Sequence, residues 1–164
     1  MRMADDRGMP VREGDVEAVR RALEEARRAG AAGEVPIGAV VLDASGAVIG
    51  VGRNEREATH DPTAHAEVVA LRAAGAALGT WRLDGCTLAV TLEPCPMCAG
   101  AVWLSRVERL VFGAWNSDYG AAGSLWDVVR DRRLNHRPEV VSGVLAAECS
   151  SLLDDFFATR RGPR

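Results

Sequence analysis

The stretch TLAVTLEPCPMCAGAVWLSRVERLVF, residues 87–112, sets the architecture of the chain. Its first part, Thr87 to Leu92, is a short apolar run typical of a strand buried on both faces. A helix is predicted from Cys95 to Ser105, with Leu104 among its core residues, and a further strand from Leu110 to Phe112. The stretch therefore predicts a strand, a helix and a second strand in succession.

The sequence on either side adds further helices and strands. Helices are predicted from Asp15 to Gly30, from Ala64 to Leu78, around Leu125 to Val128 and from Ala146 to Arg161, and strands from Ile37 to Leu42, Ala47 to Val51 and Val140 to Val144. Residues 53–61 are predicted to form a loop. The last helix is expected to bury Leu152, Leu153, Phe156 and Phe157. This order predicts an α/β domain in which helices cover one five-stranded mixed sheet.

Composition and charge narrow the class of protein. With 164 residues, of which 48% are hydrophobic and 26% charged, the chain fits one globular domain. Residues 1–12 have no periodicity and are predicted to be a flexible tail, which leaves residues 13–164 as the domain. The net charge of −3 excludes the broad basic surface of sequence-independent nucleic-acid binders. Neither a membrane span nor a secretory signal is apparent, so a cytoplasmic location is expected.

Two short motifs, His65-Ala66-Glu67 and Cys95-Pro96-Met97-Cys98, contain the residue types of a metal site. A Cys-x-x-Cys pair on the first turn of a helix directs two sulfurs toward one point, where the helix dipole favours the thiolate. With His65 as a third ligand, the set offers the nitrogen and sulfur donors that zinc prefers. Structural zinc usually has four protein ligands, so three ligands predict a catalytic site with a position left for water.

Glu67 follows the histidine by two residues and is not needed as a ligand. Zinc lowers the pKa of a bound water from about 15.7 to about 7, which makes hydroxide available at neutral pH. A carboxylate beside that water can take its proton, deliver it to a ring nitrogen and then protonate a departing amine. His-x-Glu followed by Pro-Cys-x-x-Cys is the signature of zinc-dependent nucleobase deaminases.

The Cys-x-x-Cys motif is compatible with two other functions. A redox pair would use the same spacing but has no need of His-x-Glu upstream. A structural zinc module that binds RNA without chemistry would require a fourth protein ligand and would fold only with its metal. The presence of both motifs together favours catalytic zinc.

The sequence around these motifs resembles the cytidine deaminase superfamily. The resemblance is carried by DPTAHAEVVALRAAG (61–75) and TLEPCPMCAGAVWLSRV (91–107), and it continues through FGAWNSDYGAAGSL (112–125), LNHRPEVVSGVLAAEC (134–149) and LLDDFFATRR (152–161). The C-terminal stretches resemble the bacterial tRNA-specific adenosine deaminases. Guanine deaminases share the two metal motifs, so those motifs alone do not separate the two branches.

This resemblance implies a three-layer α/β/α domain that works as a homodimer with one zinc ion per subunit. The implied partner is a tRNA anticodon stem-loop, of an arginine tRNA, whose wobble adenosine becomes inosine. Substrate contacts are implied at Asn54, Ile37, His60, Asp61, Asn135 and Phe157. Segment 115–119 lacks the basic residues frequent in the family, which removes expected phosphate contacts. The alternative is a deaminase of free guanine, cytosine or cytidine.

Overall fold

A computed structural model describes residues 9–161, in which five strands form one mixed sheet. In chain order the elements are α1 (Glu13–Ala31), β1 (Gly38–Leu42), β2 (Val48–Arg53), α2 (Arg56–Thr59), α3 (Ala66–Leu78), β3 (Thr87–Leu92), α4 (Pro96–Ser105), β4 (Arg109–Ala114), a 3-10 helix (Val128–Arg130), β5 (Glu139–Val141) and α5 (Ala146–Arg160). The strand order is β2-β1-β3-β4-β5. β1 pairs antiparallel with β2 and β3, whereas β3, β4 and β5 run parallel. The predicted five-stranded mixed sheet is confirmed.

Helices cover both faces of the sheet, as the alternation of side chains along its strands requires. Val90 and Phe112 point to one face, where they pack with residues of α3 and α4. Ala89 and Val111, their neighbours in sequence, point to the other face and pack with residues of α1 and α5. Each fully buried Val, Leu, Ile, Phe or Met side chain contributes roughly 1.5–3 kcal/mol to the free energy of folding. The two cores make the domain the three-layer α/β/α structure that was predicted.

Helix α3 lies on β2 almost backbone to backbone. A Cβ atom placed on Gly52 would lie 2.2 Å from the carbonyl oxygen of Ala66 and 2.6 Å from the amide nitrogen of Ala70, and one on Gly50 would lie 2.5 Å from the Ala70 carbonyl oxygen. The alanines on this face of α3 permit the same close approach from the other side. Because α3 begins at the predicted metal motif, this contact fixes the motif relative to the sheet.

The Gly52→Ala variant tests the close contact between α3 and β2. We expect its free energy of unfolding to fall by about 3 kcal/mol, because the new methyl group meets backbone atoms that cannot rotate away. Urea denaturation measures the change. Gly14→Ala in α1 is the control, since a Cβ there meets nothing within 4 Å, and it should be neutral or stabilising by up to about 1 kcal/mol. Equal stability of the two variants would contradict the packing described.

Segment 53–61 was predicted to be a loop, and that prediction was wrong because it contains α2. The helix is short and polar, but its first turn is capped from a distant part of the chain. The buried carboxylate of Glu34 accepts hydrogen bonds from the amides of Glu57 at 3.3 Å and Ala58 at 2.8 Å. A partner more than twenty residues away leaves no periodic pattern in the local sequence.

Two elements near the C-terminus are displaced or shorter than predicted. Instead of a helix at 125–128, a 3-10 helix covers Val128–Arg130. The last strand ends at Val141 rather than Val144. Gly143, with φ of +76°, turns the chain away from the sheet at that point.

The predicted core residues on the outer helices are less buried than expected. Leu104 is 56% exposed, so its assignment to the core was wrong. In α5 only Cys149 is fully buried and Phe157 is 43% exposed. Leu152, Leu153 and Phe156 are half-buried. Helix α5 therefore covers strands β3 and β4 with a narrow face, and its aromatic end reaches the surface.

The segment before α1 is anchored in part. Residues 1–8 lie outside the described residues, so the flexible tail stays a prediction there, and residues 9–12 have no regular structure. The Pro10 carbonyl accepts a hydrogen bond from Nη2 of Arg109 at 3.2 Å. The same guanidinium, 4% exposed, donates to both oxygens of Asp15 at 3.1 and 2.7 Å. This buried ion pair ties the first turn of α1 to β4.

Candidate metal and catalytic site

Two helix N-termini bring the predicted ligands together. His65 is the extended residue immediately before α3, and Cys95 holds the corresponding position before α4. Pro96 opens α4, where its missing amide hydrogen costs no hydrogen bond. Cys98 then lies in the first turn of α4, so that both sulfurs face the start of α3. Both motifs thus depend on where their helices begin.

The three ligand atoms have the spacing that a zinc ion requires. The Nδ1 atom of His65 lies 3.5 Å from Sγ of Cys95 and 3.5 Å from Sγ of Cys98. Zinc–nitrogen bonds of about 2.0 Å and zinc–sulfur bonds of about 2.3 Å at a tetrahedral angle place the two ligand atoms about 3.5 Å apart. Within residues 9–161 no fourth histidine, cysteine or acidic residue joins this group. The set fits a zinc ion with one open position and disfavours a closed structural site.

The thiols of Cys95 and Cys98 have pKa values shifted in opposite directions. A hydrogen bond from Cys98 lowers the pKa of Cys95 to about 4. The same hydrogen bond, together with burial, raises the pKa of Cys98 far above its ordinary value. The thiolate form is therefore favoured at Cys95, and a metal ion that binds both sulfurs would displace the proton of Cys98.

Glu67 lies beside the ligands without being one of them. Its Oε2 atom is 3.3 Å from Sγ of Cys98, and the residue is only 4% exposed. Burial raises the pKa of its carboxyl group. A carboxyl group that holds its proton more tightly than an exposed glutamate is suited to accept and return a proton near neutral pH.

A cavity of about 420 Å³ opens above these residues. Of the sequence-predicted site residues, its lining includes His65, Glu67, Cys95, Ile37, Asn54 and Phe157. A larger groove of about 630 Å³ between α3 and α4 contains none of them. The chemistry therefore belongs to the smaller cavity.

Asn54 is 4% exposed at the end of β2. Its Oδ1 accepts a hydrogen bond from the Arg56 amide at 3.2 Å, and its Nδ2 donates to the Val35 carbonyl at 3.4 Å. These contacts orient the side chain amide where it borders the cavity. Contact between Asn54 and a substrate stays a prediction.

Three predicted substrate residues lie outside the cavity lining. His60 is exposed and ends α2 with φ of +52°. Asp61 accepts hydrogen bonds from the amide and hydroxyl of Thr63, at 2.8 and 2.7 Å. Asn135 accepts one from the indole of Trp103 at 2.9 Å. The structure does not bring these side chains to the ligands, and their roles stay predictions.

Sequence analysis missed Glu93 and the aromatic side chains that follow β4. Glu93 is 1% exposed and lines the cavity, as do Trp115 and Tyr119. An acidic residue between an apolar strand and a proline was a signal for a buried carboxylate with specific partners. The aromatic residues carried no such signal, because nothing in a segment without periodicity shows which side chains border a cavity.

Comparison with known proteins places these motifs in a family. Residues 12–114 match the family model of the cytidine and deoxycytidylate deaminase zinc-binding region. The chain is 51% identical over 143 residues to the tRNA-specific adenosine deaminase of Bacillus subtilis (strain 168), which covers 87% of this chain and 88% of that relative.

Solved structures agree with the sequence comparison. One structure comes from work on A-to-I editing by tRNA:A34 deaminases at the wobble position of transfer RNA. It superposes with a TM-score of 0.80 at 42% identity, over 84% of this chain and 99% of that chain. The guanine deaminase from Nitrosomonas europaea superposes with a TM-score of 0.71 at 29% identity, over 94% of this chain and 89% of that one.

The matched region contains all three metal-site residues and Glu67, and the family's zinc binding agrees with the spacing of the donor atoms. Zinc is therefore the cofactor, and residues 9–161 contain one site for it. The chain belongs to the zinc-binding cytidine and deoxycytidylate deaminase family and, within it, to the branch of the tRNA-specific adenosine deaminases.

Proposed function

We propose that this chain converts adenosine to inosine at the wobble position of a tRNA anticodon, with residues 13–164 acting as one deaminase domain. The observation that carries the proposal is the three-ligand site with Glu67 beside it, at the base of a cavity. The 51% identity to a tRNA-specific adenosine deaminase supports the choice of substrate. An arginine tRNA is the proposed partner.

His65, Cys95 and Cys98 would hold the zinc ion, which when bound lowers the pKa of a coordinated water to about 7. Glu67 would take a proton from water and deliver it to the ring nitrogen next to the reacting carbon, while the hydroxide oxygen bonds to that carbon. The same carboxyl group would then take the proton of the new hydroxyl group and give it to the exocyclic amine, whose bond to the carbon breaks as it leaves as ammonia. Burial of Glu67 keeps the proton on this path rather than in bulk water.

The cavity selects an unpaired base. Its volume of about 420 Å³ suits a single nucleoside, so a base stacked in the anticodon loop must swing out to react. Ile37 provides an apolar wall for that base, and Asn54 a hydrogen-bonding group at its edge. We place Phe157, His60, Asp61 and Asn135 along the path of the flanking nucleotides.

A second candidate is a deaminase of free guanine, cytosine or cytidine. It is favoured by the superposition with a guanine deaminase and by the lack of basic residues in segment 115–119. Such an enzyme needs the same metal site but no surface for a polynucleotide.

The two candidates are separated by an assay in which the zinc-loaded chain is incubated with an anticodon stem-loop of an arginine tRNA. The stem-loop carries adenosine at the wobble position. Mass spectrometry of the digested RNA should detect inosine, and an ammonia assay with guanine, cytosine and cytidine should detect none. Turnover of a free base or nucleoside without inosine in the RNA would replace the first candidate with the second.

We also propose that the chain forms a homodimer in the cytoplasm. Trp81 and Leu104, 63% and 56% exposed, line the groove between α3 and α4 and provide apolar surface for a second copy. Among the described helices, none combines the length and apolarity required to cross a membrane. Analytical ultracentrifugation of the zinc-loaded chain should give twice the monomer mass of 17.5 kDa.

A further inference from the structure

The loop of residues 115–124, called the 115–124 loop below, forms one wall of the catalytic cavity with its first five residues. Its two aromatic residues are open to solvent, with Trp115 47% and Tyr119 65% exposed. Exposed apolar side chains are ordinary when they are scattered singly, but these two border the same cavity as the catalytic residues. We propose that Trp115 and Tyr119 form a preformed stacking surface for the unpaired bases next to the reacting nucleotide.

A buried carboxylate holds the 115–124 loop in shape. Oε1 of Glu93 accepts a hydrogen bond from the amide of Asn116 at 3.0 Å, and Oε2 accepts from the amides of Ala122 and Ser124, each at 3.0 Å. A Cβ atom on Gly120 would lie 2.2 Å from Oε1, so the loop also closes tightly around the carboxylate. Three charge-assisted hydrogen bonds to backbone make the conformation of the loop independent of a ligand.

Neighbours within the protein hold the ring of Trp115 and the backbone of Tyr119. The ring of Trp115 packs edge-on against Phe112, with centroids 5.0 Å apart, and lies 3.3 Å from a Cβ position on Gly123. The amide of Tyr119 donates to Oδ1 of Asn116 at 3.0 Å, which fixes its backbone at the cavity. The Trp115 ring, fixed on one side and exposed on the other, loses little conformational entropy when a base stacks on it.

The charge of this wall is unfavourable for binding phosphate groups. The 115–124 loop has no arginine or lysine and contains Asp118, and Asp154 of α5 also lines the cavity. Arg56 is the arginine among the lining residues. Aromatic faces, in contrast, bind unpaired bases without regard to charge, at about 1–3 kcal/mol for each stacked base. The chemistry that fits this wall is therefore that of splayed, single-stranded bases.

This inference rests on the proposed function for the identity of its ligand, an anticodon loop. Its test measures binding rather than turnover, so that the stacking surface and the proposed reaction can fail separately. A fluorescein-labelled anticodon stem-loop is titrated with the zinc-loaded full chain carrying Glu67→Gln, and its dissociation constant is measured by fluorescence anisotropy. Added to that background, Trp115→Ala and Tyr119→Ala should each weaken binding about tenfold, whereas Trp115→Phe and Tyr119→Phe should stay within about threefold because an aromatic ring remains.

Trp126→Ala is the matched control, because Trp126 follows the same loop, is 52% exposed and does not line the cavity. It should bind as the parent does. The loss caused by Trp115→Ala should be the same between about 50 and 200 mM salt, since stacking neutralises no phosphate. Unchanged binding by Trp115→Ala and Tyr119→Ala, or an equal loss with Trp126→Ala, overturns the stacking surface. If the chain with Glu67 intact produces no inosine, while Trp115→Ala and Tyr119→Ala weaken binding as expected, only the proposed reaction is overturned.

Discussion

Replacing Glu67 with glutamine is expected to lower kcat on the anticodon stem-loop by about 10²–10⁴-fold, because general acid–base catalysis is lost. The amide fills nearly the same space 3.3 Å from Cys98 Sγ, but it cannot accept and return a proton. The metal ligands are untouched, so one zinc ion per chain should remain. Single-turnover kinetics and metal analysis on the same preparation measure both quantities.

The control for this variant is Glu57→Gln, which neutralises an exposed carboxylate on α2 outside the cavity lining. It should leave kcat unchanged. Wild-type turnover by Glu67→Gln would refute the proton-transfer role, and loss of zinc would mean that Glu67 supports the metal instead.

Replacing Cys95 with alanine is expected to abolish zinc binding and, with it, all deaminase activity. Two protein ligands at an open site hold zinc far less tightly than three, and Cys95 is the residue whose pKa, about 4, makes it a thiolate at neutral pH. Metal analysis after dialysis against a weak chelator measures the loss, and circular dichroism checks that the chain is folded.

Cys86→Ala provides the comparison, because Cys86 is a buried thiol that contributes no ligand. This variant should retain its zinc and its activity, with a modest loss of stability. Full zinc occupancy in the Cys95→Ala variant would show that the metal is held elsewhere.

The metal site was predictable because its information is local. Each ligand lies at or next to the start of a helix, and the spacing within the two motifs sets which side chains face the same point. The central strands were predictable for a similar reason, since a strand such as Leu88 to Val90, buried on both faces, is a continuous apolar run. Sequence alone therefore predicted the sheet, its covering helices and the zinc ligands.

Features that depend on distant contacts were not predictable in this way. Helix α2 exists because Glu34 caps it, and the 115–124 loop has its shape because Glu93 binds its backbone. The exposure of Phe157 depends on how α5 packs across β3 and β4, which its apolar pattern does not encode. Substrate-contacting positions belong to this second group, so most of them remain proposals.

Because Glu93 holds the cavity wall by its backbone, the conformation of this segment does not depend on which outward-facing side chains it carries. The carboxylate binds main-chain amides, which every residue except proline possesses, while the side chains of Ser117, Asp118 and Tyr119 are exposed at the cavity. Side chains at these three positions can therefore be exchanged without moving the catalytic centre. The segment is a natural place for a combinatorial library, in which nucleotide preference is altered while the chemistry is inherited intact.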